Sequence, residues 1–148
     1  MEEIEAFYNL ARGYCDYVGA NKISRDSIPF LMERLMRLYI SAQVLPELEM
    51  QEEEALTAVL HKDFEIRLDE QISSDYWEIY DPAFPDEPVC GNLADDLADI
   101  ALDLQSGIET YDSGHREQAA FAWKFGLEHH WGKHVVDALR ALHSIIRE

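Results

Sequence analysis

Apolar side chains recur at three- and four-residue steps along most of this chain, a period that gathers them on one stripe of a helix and requires neighbouring helices to cover it. The fold class this predicts is all-α, an antiparallel bundle of about five helices. In the first helix Ile4, Phe7, Leu10, Ala11, Tyr14 and Val18 form the stripe. Glu2, Glu3 and Glu5 stand in its first turn, where the helix dipole favours acids, and Gly19 ends the pattern. A second helix follows with Ser27 as its cap and Pro29 in its first turn. Its stripe is Leu31, Leu35, Leu38, Ala42 and Leu45, and Pro46 stops it. The connection between the two is short, so they should pack antiparallel. After an acidic connector from Glu47 to Glu54, the four-residue spacing of Leu56, Leu60, Phe64, Leu68 and Ile72 predicts a third helix.

The stretch from Ser73 to Cys90 breaks the pattern. Tyr76, Trp77, Tyr80 and Phe84 stand among Pro82, Pro85 and Pro88, a mixture too aromatic to stay flexible and too rich in proline for a helix. It reads as a long ordered loop laid across the bundle, with its aromatics filling the open end. A length of 148 residues is enough for one domain, residues 1–148, with a continuous core that needs no metal or disulfide to hold it.

A further helix opens after Gly91, with Asn92 as N-cap and Asp95 three residues on. Leu93, Leu97, Ile100, Leu104, Ile108 and Tyr111 share one face of it. Asp95, Asp96, Asp99 and Asp103 form an acidic stripe beside that face, with Asp96 and Asp103 nearest the apolar border. Like charges at this spacing repel by about 0.2–0.5 kcal/mol a pair, so a cation, a basic side chain or water must balance them. For the two border acids an Arg or Lys is the expected partner.

The last helix is expected to run from about Gly114 nearly to the end. Phe121, Phe125, Val135, Val136, Leu139, Leu142 and Ile146 lie on one broad face that Trp123, Leu127, Trp131, Ala138 and Ile145 widen, as in a central helix. Glu128 projects into that arc. An interior glutamate must be paired or protonated, and Arg34, Arg37 or His143 could pair with it. Gly132, one turn on, implies close approach of another backbone. His130 and His134 are four apart and share a helix face, so their rings could converge on a metal. Trp131 stands where a zinc-protease helix would carry glutamate, so that motif is not present.

Several blocks together resemble a bacterial family of all-helical proteins, domain of unknown function 5063. They are Trp77-Glu-Ile-Tyr-Asp-Pro82, Glu87-Pro-Val89 leading to Gly91, Asp95-Asp-Leu-Ala-Asp-Ile100, His130-Trp-Gly-Lys-His134 and Ala138-Leu-Arg-Ala-Leu-His143. The resemblance covers most of the chain, is densest from Tyr76 onward, and implies a helical fold without an established activity. Asp96-Leu97-Ala98-Asp99 also resembles the second acidic motif of helical nucleotide pyrophosphohydrolases. The partner motif should lie on a preceding helix, whereas the nearest spacing, Glu49 and Glu52, falls in the connector.

Charge narrows the partners. With 12 Lys and Arg against 30 Asp and Glu, the formal charge of −18 repels phosphate backbones and anionic headgroups, so neither nucleic acid nor membrane is an expected partner. A basic protein is. The acidic N-terminus resembles no secretory leader, and Cys15 and Cys90 are the only cysteines, which suggests a cytoplasmic protein with reduced thiols. The preferred function is protein binding, of the kind by which an immunity protein or antitoxin neutralises a basic partner, with Tyr76, Trp77, Tyr80 and Trp131 as interaction residues. No cofactor is expected. The alternative is a metal-dependent hydrolase with Asp96, Asp99, Asp103 and Glu128 as catalytic candidates and Asp96, Asp99, His130 and His134 as candidate ligands for a divalent metal. No phosphate-binding glycine loop, CxxC pair or Ser-His-Asp order supports another chemistry.

Overall fold

The computed structural model describes residues 2–49 and 64–147. They form a predominantly helical fold with one small sheet, in the order α1 (Glu2–Ala20), α2 (Ile28–Gln43), β1 (Asp75–Glu78), β2 (Val89–Asn92), α3 (Leu93–Asp112), α4 (Arg116–His129) and α5 (Trp131–Ile146). Ile4, Phe7, Ala11, Tyr14 and Val18 of α1, and Leu31, Leu35, Leu38 and Ala42 of α2, are buried, as the helical period requires. Ser27 does not cap α2 through its side chain. A 3₁₀ turn, Arg25–Ser27, precedes that helix, and there the Ser27 hydroxyl accepts from the Ser24 N–H and donates to the Ser24 carbonyl.

The hub is α3, against which α1, α4 and α5 all pack. Its junctions are marked by buried polar groups that find helix carbonyls. Tyr14 Oη–H donates to Leu97 O at 2.8 Å, Cys15 lies 3.6 Å from Ala101 O, and Trp123 Nε1–H donates to Leu104 O at 3.2 Å. No buried side-chain nitrogen or oxygen among the described residues lacks a partner. Phe7, Trp123 and Trp131 meet at the centre, with ring centroids 4.9 Å and 6.0 Å from Phe7.

Three expectations are corrected. The helix predicted over Leu56 to Ile72 falls partly outside the described residues, but from Phe64 to Leu68 the chain is extended. Ile23 N–H donates to Arg67 O and Asp69 N–H to Ile23 O, both at 2.8 Å, which docks this segment parallel to the α1–α2 connection. Phe64, Ile66 and Leu68 pack on the core while Glu65 and Arg67 are exposed, a period of two. The stretch from Ser73 to Cys90 is also not an irregular loop, because β1 and β2 pair antiparallel as an arm. Finally, the helix expected from Gly114 to the end is two helices broken at His130, whose φ of −148° and ψ of −81° are not helical.

That corner is tight. A Cβ on Gly132 would strike the Leu127 carbonyl oxygen, so glycine lets α5 begin against the end of α4. Trp131 folds back over α4 and donates from Nε1 to Trp123 O at 2.9 Å. It is fully buried, so it belongs to the core and not to the interaction surface for which it was a candidate.

The two thiols occupy opposite environments. Burial pushes the Cys15 thiol up to about 12, whereas Cys90 is exposed on β2. Thiolate is the reactive form, so a disulfide reagent at pH 8 should titrate one thiol per native chain and a second only in denaturant. Two fast-reacting thiols would mean that the α1–α3 junction opens readily.

Candidate functional site

The site is built where the hairpin arm enters α3. Asn92 ends β2 and caps α3, its side chain accepting from Asp95 N–H at 3.0 Å as the Asn-Xaa-Xaa-Asp spacing implies. Ser74 reinforces the junction: its hydroxyl donates to Asn92 Oδ1 at 2.9 Å and accepts from Ala94 N–H at 3.0 Å. In the register of the ribbon Tyr76 lies opposite Gly91, and a Cβ on Gly91 would collide with the Tyr76 ring. The glycine therefore lets the ring lie flat across β2 and bring its hydroxyl to Asp96, to which it donates a short hydrogen bond.

Asp96 is buried, and its other carboxylate oxygen lies 2.7 Å from His134 Nδ1. Its partner is thus a histidine of α5 and not the Arg or Lys expected. An ionised carboxylate only accepts, so the imidazole proton sits on Nδ1 and leaves Nε2 to face elsewhere. His134 Nε2 lies 3.4 Å from Asp99 Oδ2. The same pattern repeats two turns along α3, where Asp103 Oδ2 lies 2.6 Å from His130 Nδ1. The hydrogen bond from Asp96 is the main cause that holds the His134 pKa above its ordinary value, and it outweighs the opposing effect of burial. Burial first, and then the hydrogen bond to the Asp96 carboxylate, push the Tyr76 hydroxyl well above the usual phenol range.

The structure thus brings together Asp96, Asp99, Asp103, His130 and His134, which stand on two facing helices. Asp99, His130 and His134 each offer a ligand atom within 4.8 Å of the other two. Glu128 takes no part in these contacts. Its side chain is 58% exposed and its ion-pair partner is His129 at 3.9 Å. Glu128 shares the outer face of α4 with the exposed Phe125, and the helical wheel that put both in the core ran unbroken through the corner at His130.

On the arm, the period of two divides the side chains. Tyr76 and Glu78 are half-buried, and Lys133 of α5 anchors the ribbon through Glu78 at 3.5 Å, with its ammonium 4.9 Å from the Tyr80 ring centre and held by Asp137 of the same helix at 2.6 Å. Burial, then the charge of Asp137, raises the Glu78 carboxyl above its ordinary value despite the opposing effect of Lys133. Trp77, Tyr80 and Phe84 are 72%, 68% and 66% exposed, so these aromatics do not fill the end of the bundle; within the arm that role falls to Tyr76. Ser74, Glu78, Lys133 and Asp137 were not singled out in the sequence; for Lys133, its place between the two histidines was a signal.

The architecture is that of a helical bundle carrying a two-stranded arm, with an acid–histidine row between α3 and α5. The chain belongs to the family described as Domain of unknown function (DUF5063), whose profile matches residues 1–148. A crystal structure of protein BF1032 from Bacteroides fragilis is similar in fold, with a TM-score of 0.74 at 20% identity over 100% of this chain and 97% of that one. No functionally curated protein matches the chain. Among the described residues no helix is long and apolar enough to cross a membrane.

Proposed function

We propose that the protein is a binding module that engages a basic protein through the exposed face of the β1–β2 arm. The observation that carries this reading is the outward display of Trp77, Tyr80 and Phe84 on an arm tied down at its base by Ser74, Asn92, Tyr76 and Lys133. Large apolar groups exposed in a row cost solubility, and aromatic side chains on a fixed backbone are the usual anchors of protein interfaces. Charge selects the partner. Between Ser73 and Asn92 the chain holds Asp75, Glu78, Asp81, Asp86 and Glu87 and no basic residue, within a molecule of net charge −18. Such a field speeds encounter with a positively charged surface and disfavours an acidic one.

The test compares wild type with a Trp77→Ala/Phe84→Ala double variant, whose exposed positions leave folding intact. Affinity capture at low salt should recover a basic protein. Binding remeasured with both proteins purified should weaken as salt rises and be lost in the double variant. A partner that binds the variant equally well, or whose affinity ignores salt, would overturn this reading.

A further inference from the structure

We propose that Asp99, His130 and His134 form a binding site for a transition-metal dication of the zinc class, with Asp96 and Asp103 as positioning residues behind the two histidines. Three features support it, and none depends on the arm's binding a protein. The first is the donor set. Two imidazoles and one carboxylate suit zinc, cobalt or nickel, whereas magnesium and calcium take oxygen ligands. The second is geometry. Zinc–ligand bonds of 2.0–2.1 Å place neighbouring donors of a tetrahedral site about 3.4 Å apart, and Asp99 Oδ2 and His134 Nε2 already stand 3.4 Å apart. The third donor, from His130, lies within 4.8 Å of both, and metal binding would draw it in by a small side-chain rotation.

The third feature is the row of acids behind the ligands. A metal-bound histidine ordinarily donates its remaining N–H to a carboxylate, which fixes the tautomer and aims the other nitrogen. Here that arrangement occurs twice, as Asp96 with His134 Nδ1 and Asp103 with His130 Nδ1. Both rings therefore present Nε2 as the free donor. Asp96 is itself fixed by Tyr76, so the arm, α3 and α5 all hold the site in place. The His130 backbone, at the α4–α5 break, sets one ring a turn before the other, and the two rings stand edge to face with centroids 4.9 Å apart. Three protein ligands leave a coordination position for water or an exogenous ligand, as in zinc sites that are not purely structural. The side chains of His130 and Asp99 are 52% and 40% exposed, so that position is open to solvent.

Protein without a histidine tag, stripped with EDTA and dialysed, should bind one Zn²⁺ per chain in a saturable calorimetric titration at neutral pH, and Co²⁺ should give the visible absorption of a four-coordinate nitrogen and oxygen site. Mg²⁺ should not compete. Asp99→Asn and His130→Ala, both at accessible positions and checked for folding by circular dichroism, should abolish the stoichiometric binding. Asp103→Asn should weaken it by about 10–100-fold through loss of the support behind His130, and Glu128→Gln should leave it unchanged. Absence of saturable Zn²⁺ binding, equal competition by Mg²⁺, or stoichiometric binding that survives both Asp99→Asn and His130→Ala would overturn the proposal.

Discussion

Replacing Trp131 with Ala is expected to destabilise the protein by about 3–5 kcal/mol, the range for removing a large buried aromatic. Trp131 is fully buried, packs against Phe7 and closes the α4–α5 corner with its hydrogen bond to Trp123 O. Its ring also lies against Gly126, where a Cβ would come within 2.6 Å of it, and the glycine offers no side chain to fill the gap. A loss of that size is a large part of the roughly 5–15 kcal/mol that stabilises a typical domain. Trp131→Phe keeps most of the volume but gives up the N–H donor, and should cost distinctly less. Urea denaturation followed by far-UV circular dichroism measures both. A Trp131→Ala midpoint close to wild type would return Trp131 to the surface and undo the corner.

That residue also marks where sequence reasoning stopped. The periods of α1 and α2, the Asn92 cap and the acidic row on α3 follow from local spacing alone, because each is a pattern within one unbroken element. His130 and His134 could likewise be placed on one face from their spacing. Their pairing with Asp103 and Asp96 could not, since it depends on where α5 starts and how it lies on α3. The helix break resets the rotation of every later side chain. Gly126 and Gly132 flanking a His-His-Trp run were the local signal for that corner, and they can equally well be explained by close packing within one helix. Glu128 was misplaced for the same reason. From Phe64 to Ile72 the fault was different. A four-residue apolar spacing is one helical turn but also two strand repeats, and Ile66 between Phe64 and Leu68 was the residue that distinguished them.

Asp96 is the side chain on which the arm, α3 and α5 converge, and Asp96→Ala should therefore cost roughly 2–4 kcal/mol even with metal removed by EDTA. The reason is desolvation. In wild type the Tyr76 hydroxyl and His134 Nδ1 both donate to one buried carboxylate. With Ala, His134 is accessible enough to turn partly toward water, but the half-buried Tyr76 hydroxyl loses the carboxylate to which it donates. Asp96→Asn keeps the shape and one acceptor oxygen but presents an NH₂ to the second donor, so it should lie between Ala and wild type. Tyr76→Phe offers an internal comparison. It removes one donor and leaves the carboxylate bonded to His134, and it should cost about 1–2 kcal/mol. A double-mutant cycle of Asp96→Ala with Tyr76→Phe should then show that the two losses do not add, because the Tyr76 penalty disappears once its hydroxyl is gone. Additive losses would mean that the short contact between Tyr76 and Asp96 contributes nothing in solution, and that the arm is held by Ser74, Asn92 and Lys133 alone.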